Sequence, residues 1–139
     1  MSVIFSQDWM EAFGNAWNKD AKMVESLAKA DFSTIIGFGY SNEDKARGAI
    51  EVLQGKVASS GSYNGQVLSW DLRASIADWE EWLTKGFGLA KLGVAVSSGR
   101  LKFNCGDYRQ MIRKPELASP FLHHFEIMAS IPTDFRQSL

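Results

Sequence analysis

Cysteine, proline and histidine are scarce in this sequence of 139 residues, which has 1 Cys, 3 Pro and 2 His. The lone Cys105 excludes an intramolecular disulfide and a zinc site built on cysteines, and it is typical of the reducing cytoplasm, where we expect the protein to lie. His123 and His124 are adjacent on a predicted helix, about 100° apart, so they cannot both face one metal ion. We interpret both as helix-surface residues and expect no metal and no cofactor.

Neither sign of charge dominates, since 15 Lys and Arg stand against 16 Asp and Glu and the formal net charge is -1. A chain without a basic excess has no field to hold a phosphate backbone, so we do not expect nucleic acid as a partner. The longest apolar runs are far shorter than a membrane span, and residues 1–5 lack the features of a signal peptide. We therefore expect no stable membrane insertion.

Aromatic residues, in contrast, make up 12% of the chain, with 5 Trp and 9 Phe. Such side chains supply large apolar areas that a small core can hardly hide completely. The length predicts one domain over residues 1–139. Within it we expect a helical N-terminal part (6–29), a central part of sheet and helices (31–131) and a tail (132–139).

The N-terminal part has the clearest periodicity. Its apolar residues recur at helical spacing and predict a helix from about Ser6 to Asn18, with Ser6 as its N-cap, followed by a second helix from Ala21 to Lys29. The apolar stripe of the first helix consists of Trp9, Ala12, Phe13, Ala16 and Trp17.

Alternating apolar and polar residues predict three strands in the central part. These strands are Phe32–Phe38, Leu68–Ala74 and Arg100–Cys105. A fourth stretch, Ala49–Ser59, also alternates, but its phase slips near Gln54-Gly55, which requires a bulge or a tight turn. The Ser, Gly and Asn residues of Ser59–Gly65 indicate a loop.

Side-chain alternation also predicts the surroundings of individual strand residues. Asp71 and Arg73 share one face of a strand, and we expect them to pair at a solvated sheet surface. Cys105 alternates with Leu101 and Phe103, which predicts a small buried residue.

The C-terminal half shows helix-start signals. Asp78 with Glu81 three residues later predicts a capping box, and Ser119-Pro120 predicts the N-cap and first residue of the last helix. Between them, the glycine-rich segment Gly86–Gly99 predicts a loosely held helix, which we expect to open when a ligand enters. Helices and short antiparallel connections together indicate the α+β class.

Three segments carry a resemblance to a known family. They are IEVLQGKV at 50–57, like a hairpin with glycine at its turn, ADWEEWL at 77–83, like an acidic-capped aromatic helix, and SGRLKFNCGD at 98–107, like a basic strand that ends in Gly-Asp before the next helix. Together they resemble the sterol carrier protein type 2 family of small lipid-binding domains.

The resemblance implies a five-stranded, mostly antiparallel sheet with one face covered by helices and an apolar tunnel between them. The function implied is non-catalytic binding or transfer of a fatty acyl chain, an acyl-CoA or a sterol-like lipid, by hydrophobic area alone. The sequence leaves open a homodimer. The side chains expected to contact the lipid are Trp70, Leu72, Trp79, Trp82, Leu83, Phe87, Leu89, Leu92, Phe103, Phe121, Phe125 and Met128.

Two alternatives stay open. One is a small cone-shaped α+β enzyme of the ketosteroid isomerase type, although its sheet should close the chain, whereas the last third here is predicted to be helical. No set of catalytic residues is convincingly placed, so the sequence favours a protein that is not an enzyme. The other alternative is an assembly or regulatory module that binds a protein through an exposed aromatic surface.

Overall fold

A computed structural model describes residues 1–136. The helices in this range are α1 (Gln7–Lys19), α2 (Ala21–Lys29), α3 (Ile76–Lys85), α4 (Leu89–Ser97), α5 (Tyr108–Ile112) and α6 (Pro115–Ala129). The strands are β1 (Ser2–Val3), β2 (Thr34–Tyr40), β3 (Gly48–Leu53), β4 (Lys56–Ser62), β5 (Trp70–Ala74), β6 (Lys102–Cys105) and β7 (Thr133–Asp134). None of these helices combines the length and apolar character needed to cross a membrane. The last three positions of the predicted tail, 137–139, lie outside the described residues.

β2 occupies the centre of a five-stranded sheet with the order β4-β3-β2-β5-β6. It pairs in parallel with β5, whereas the other neighbouring strands of this sheet are antiparallel. The predicted class, α+β with a five-stranded and mostly antiparallel sheet, is therefore confirmed. A separate short parallel pair, β1 with β7, brings the two ends of the described chain together.

The slip in alternation after β3 is a two-residue turn, as one of the two predictions for it required. Gln54 and Gly55 have φ angles of 51° and 84°, the left-handed pair that fits a tight hairpin between twisted strands. The indole N–H of Trp17 donates to the carbonyl of Gly55 at 2.9 Å, and the amide side chain of Asn18 bonds both backbone groups of Val57. The end of α1 is thus docked on this hairpin.

One face of the sheet carries the large apolar side chains. Ile36 and Phe38 alternate along β2, and their register partners on β5 are Trp70 and Leu72. Because residues two apart share a face, these four side chains project together toward the helices. Phe38 contacts the ring of Phe13 on α1 at a centroid distance of 5.8 Å.

The opposite face is covered by chain segments without helix. Here the guanidinium of Arg73 binds both carboxylate oxygens of Asp71, at 2.6 and 3.0 Å. It also donates to the backbone carbonyls of Tyr40 and Glu43, at 3.2 and 2.8 Å. The expected pairing is present, but the expected solvated surface is wrong: Arg73 is only 2% exposed, because the loop after β2 folds over it.

The connection from β4 back to β5 crosses the same face. A Cβ atom on Gly37 would lie 2.5 Å from the Leu68 side chain, so a larger residue at position 37 would have to displace Leu68. The crossover places β5 beside β2 and makes their pairing parallel.

Three expectations about element boundaries are wrong. Helix α3 is capped by Ser75, whose hydroxyl accepts from the backbone N–H of Asp78, so the predicted capping box of Asp78 and Glu81 is absent. α6 begins at Pro115, the first helical position, where proline is tolerated. It continues through Pro120, which lies inside the helix, so Ser119 is not its N-cap. The loop predicted at 59–65 is strand as far as Ser62, since β3 supplies the pairing partners.

Cys105 is exposed rather than buried. Leu72 pairs with Phe103, but Asp71 pairs with Cys105, so β6 contains one extra residue at this point. Such a bulge reverses the alternation, and Cys105 leaves the face that Phe103 occupies.

We predict that Arg73→Met lowers the free energy of unfolding by about 3–5 kcal/mol, because it leaves the Asp71 carboxylate buried without a partner. Urea unfolding measures this loss. The double variant Asp71→Asn with Arg73→Met should recover most of the stability, since no charge is then left unpaired. Arg100→Met is the control, because its ion pair with Asp78 is solvent-exposed and its loss should cost far less. Equal losses for Arg73 and Arg100 would contradict the assignment of Arg73 as the buried clamp.

Candidate functional site

A cavity of about 40 Å³ lies between the apolar face of the sheet and the helices. The sheet contributes Ile36, Trp70 and Leu72 to its wall. Ile36 and Trp70 are register partners on the parallel pair β2 and β5, and Leu72 is the next residue on the same face. The parallel pairing at the centre of the sheet therefore forms the floor of the cavity.

Helix α6 forms the opposite wall. Leu117, Pro120, Phe121 and His124 border the cavity, and their spacing of three, four and seven residues places them on one face of the helix. The last is the only ionisable side chain among the lining residues. The cavity is thus apolar apart from one imidazole.

The remaining wall residues come from several elements. Met23 and Leu27 lie one turn apart on α2, Trp17 comes from the end of α1, Phe32 precedes β2, and Met111 belongs to α5. The two methionines are the most adaptable of these side chains, because the unbranched thioether has three rotatable bonds.

His124 is buried among aromatic rings. Its ring centroid lies 4.2 Å from that of Phe125, 4.9 Å from Phe121, 5.9 Å from Phe38 and 6.4 Å from Phe13. Its Nδ1 contacts the backbone carbonyl of Phe121, and its Nε2 has no hydrogen-bond partner among the described residues. The expectation that His124 lies on the helix surface is therefore wrong, because it belongs to the apolar face of α6.

Burial sets the charge of this imidazole. Desolvation lowers the pKa of His124 from 6.5 to about 4, against the smaller opposing effect of the hydrogen bond to Phe121. The ring is therefore neutral at pH 7. Since a carbonyl oxygen only accepts, Nδ1 carries the proton and Nε2 presents a lone pair.

His123 differs from His124 in its hydrogen-bond partners and in the direction of its pKa shift. Its Nε2 lies 2.6 Å from a carboxylate oxygen of Asp20, and its Nδ1 lies 3.1 Å from Glu126. The hydrogen bond to Asp20 raises the pKa of His123, and the same bond lowers the pKa of Asp20. Asp20 also caps α2 by accepting from the backbone N–H of Met23, so His123 links α6 to the start of α2.

A surface groove runs beside the cavity between α2 and α6. Met23 and Pro120 border both the groove and the cavity, so these two side chains lie between them. The rim of the groove carries both basic and acidic side chains, among them Lys22, His123 and Glu126. No group of three or more His, Cys, Asp or Glu side chains that could hold a metal occurs among residues 1–136.

The twelve residues expected to contact a lipid lie in different parts of the structure. Trp70, Leu72 and Phe121 line the cavity. Phe103 is half-buried and packs against the rings of Trp70 and Phe121, at 6.2 and 5.9 Å. Leu89 is 59% exposed and borders the groove.

The other seven residues are buried in a second cluster, to which α3, α4 and α6 contribute. Trp82 stacks on Phe87 at 4.6 Å, and Phe87 meets Phe125 edge-on at 4.8 Å. None of the seven borders the cavity. The members of this cluster are Trp79, Trp82, Leu83, Phe87, Leu92, Phe125 and Met128.

Sequence reasoning missed the other nine wall residues, of which His124 is chemically the most distinctive. A signal for it was present, because His124 lies three residues after Phe121 and four before Met128, on the predicted apolar face. No such signal marks Met111, which reaches the wall only through the tertiary packing.

Comparison with known proteins shows which fold this is. No protein-family profile and no curated protein matches the sequence. The crystal structure of sterol carrier protein 2 matches with a TM-score of 0.73 and 12% identity, over 92% of this chain and 98% of that one. A conserved hypothetical protein from Thermus thermophilus, described as a candidate sterol carrier protein, matches with a TM-score of 0.62 and 17% identity, over 94% and 92%.

A third solved structure, the ubiquinone synthesis protein UbiJ-SCP2, matches with a TM-score of 0.53 and 8% identity, over 89% of this chain and 90% of that one. At such identities the likeness concerns the fold. The chain has the sterol carrier protein 2 fold, and the resemblance based on three sequence segments is confirmed at that level.

We predict that His124 makes the protein less stable in mild acid. The unfolded state binds a proton near pH 6.5 and the folded state only near pH 4, so the free energy of unfolding falls as the pH drops between these values. The full depression corresponds to about 3 kcal/mol. Urea unfolding at a series of pH values from 7 to 4.5 should show most of this loss in the wild type and little of it in His124→Leu.

His123→Gln is the matched control. The pKa of His123 is raised in the folded state, so its stabilisation is complete below pH 6.5 and is lost only as the pH rises through the raised pKa. This variant should keep the acid-dependent loss. If His124→Leu kept it as well, the loss would come from another group.

Proposed function

We propose, from the sterol carrier protein 2 fold of this chain, that it is a non-catalytic carrier that binds and transfers an apolar ligand. The fatty acyl chain, acyl-CoA and sterol-like classes all fit this proposal. The observation that carries it is the apolar cavity between α6 and the floor formed by β2 and β5, with one imidazole as its sole ionisable group. An apolar wall with few polar groups binds by removing hydrocarbon from water.

Ligand binding widens this cavity. Its volume of about 40 Å³ is well below the roughly 300–1,000 Å³ of typical ligand pockets. Each methylene group removed from water contributes about 0.8 kcal/mol, so a chain of about ten methylenes contributes about 8 kcal/mol. That is enough to offset rotation of Met23 and Met111 and a small displacement of α6.

The ligand enters from the groove between α2 and α6. Met23 and Pro120 are the only side chains common to groove and cavity, and a rotation of Met23 opens the shortest path between them. Of the glycine-rich segment expected to open, only Leu89 borders the groove, and it does so at the rim. The opening element in this proposal is therefore the contact between α2 and α6.

The proposal assigns the first ligand contacts to Trp70, Leu72 and Phe121. A longer chain that passes Phe121 meets Phe125, whose ring lies 5.2 Å away, and reaches the second cluster there. The seven residues of the second cluster are thus proposed as contacts for the far end of a long ligand.

The alternatives are less well supported. The five-stranded sheet ends at Cys105 and is followed by α5 and α6, whereas an isomerase of the type considered closes with its sheet. Every described aromatic side chain is buried or half-buried, so an exposed aromatic docking surface is lacking within residues 1–136. The carrier proposal includes a cytoplasmic location, where the exposed thiol of Cys105 stays reduced.

We predict that filling the cavity weakens ligand binding. Leu117→Phe should lower the affinity for an apolar fluorescent probe about tenfold, because the larger ring occupies space that the ligand needs. Val94→Phe is the control, since Val94 is 62% exposed on α4 and borders none of the cavity wall. Displacement by fatty acids, acyl-CoA esters and sterols, with thermal melts to check folding, identifies the ligand class.

Lipid extraction of the purified protein followed by mass spectrometry gives an independent result. The proposal expects a lipid to copurify or at least one competitor to displace the probe. If neither occurs, the protein is not a lipid carrier.

A further inference from the structure

We propose that Nε2 of His124 accepts a hydrogen bond from a hydroxyl group of the ligand, so that the cavity selects apolar molecules that carry a hydroxyl over matched molecules that carry only acceptors. This inference rests on the proposed carrier function and adds the chemical class of the ligand. It concerns a group that packing alone does not explain, because an aliphatic side chain would fill the same place without a polar atom.

The direction of the hydrogen bond follows from the other ring nitrogen. Nδ1 contacts the carbonyl oxygen of Phe121, which can only accept, so the proton of the neutral ring resides on Nδ1. Nε2 therefore presents a lone pair and no proton. His124 is 2% exposed, and this nitrogen has no partner among the described residues.

In the described part of the chain, the rings packed around His124 supply no hydrogen-bond donor to Nε2. The nearest rings, those of Phe125, Phe121 and Phe38, have no polar atom. The indole N–H of Trp17 is used by the carbonyl of Gly55. A buried acceptor without a partner is unfavourable, so a donor brought in by the ligand stabilises both molecules.

A water molecule serves this nitrogen poorly. Buried waters typically make about three hydrogen bonds, and the cavity wall offers the imidazole as its one ionisable group. A hydroxyl attached to a hydrocarbon chain makes the same bond to Nε2, and its chain fills the apolar remainder. An ether, an ester carbonyl or an ionised carboxylate instead places lone pairs against the lone pair of Nε2.

The neutrality of the ring supports this selection. Desolvation depresses the pKa of His124 to about 4, so at pH 7 the ring is not an imidazolium that could attract a carboxylate. The expected order of preference is therefore an alcohol first, with ethers and ionised acids behind it.

The test compares 1-dodecanol with undecyl methyl ether, which have the same number of heavy atoms. Competition against a fluorescent probe at pH 7 should show the alcohol binding about tenfold more tightly to the wild type. Without a partner for its hydroxyl, the alcohol would bind more weakly than the ether, because its donor loses water on burial. The ratio of the two affinities is thus the diagnostic quantity.

Variants of the two adjacent histidines provide the comparison. In His124→Leu the ratio should fall to one or below, whereas in His123→Gln it should keep the wild-type value, whatever happens to the absolute affinities. A second measurement uses the wild type alone and so does not depend on whether the variants fold. The ¹⁵N chemical shift of Nε2 should change on addition of dodecanol and stay nearly constant on addition of the ether.

The outcomes separate the two proposals. If both compounds bind but the ether binds as tightly as the alcohol, or the Nε2 shift ignores the alcohol, the hydroxyl inference is overturned and the carrier function stands. If neither compound binds the wild type, the hydroxyl inference fails, and the carrier function fails with it only when no fatty acid, acyl-CoA ester or sterol displaces the probe and no lipid copurifies.

Discussion

The attachment of α6 to the sheet depends on the packing of rigid aromatic rings around the imidazole of His124. Rings from α1, β2 and α6 meet there, among them Phe13, Phe38 and Phe125. Planar rings pack at a few preferred angles and cannot deform to fill every space. Where α6 continues past this cluster toward Leu117, the rings of Trp17, Trp70 and Phe121 stay apart and leave the cavity.

The same packing determines what the cavity can do chemically. It removes His124 from water, which keeps the ring neutral, and the bond to Phe121 fixes the nitrogen that carries the proton. The neighbouring His123 lies at the surface, where its contact with Asp20 ties α6 to α2. Two adjacent residues thus have different surroundings, His124 in the wall of the cavity and His123 in that of the groove.

Much of the fold could be predicted because it depends on local patterns. The helix at Gln7–Lys19 follows from its apolar stripe, and the turn at Gln54-Gly55 follows from the break in alternation. The parallel pairing of β2 with β5 has no local pattern, because it depends on the crossover connection from β4 to β5. The exposure of Cys105 was mispredicted for a related reason, since one extra residue in β6 reverses the face.

The candidate site was harder to predict than the fold. Trp82 and Phe121 are both large apolar residues on predicted helix faces, so the sequence does not distinguish them. Only tertiary packing decides which of them borders the cavity. Trp82 is enclosed by Phe87 and Trp79, whereas Phe121 borders the cavity. Arg73 shows the same limit for a polar residue, because its burial depends on a loop from elsewhere in the chain.

The central claim is that an apolar ligand occupies the space between α2, α5, α6 and the sheet. The methionines provide probes for it, because Met23 and Met111 line the cavity, whereas Met10 is fully buried away from it against Gly48. Nuclear Overhauser contacts between bound dodecanol and ¹³C-labelled methionine methyl groups measure where the ligand lies. The account predicts contacts at Met23 and Met111 and none at Met10. A bound ligand that contacts neither Met23 nor Met111 would contradict it.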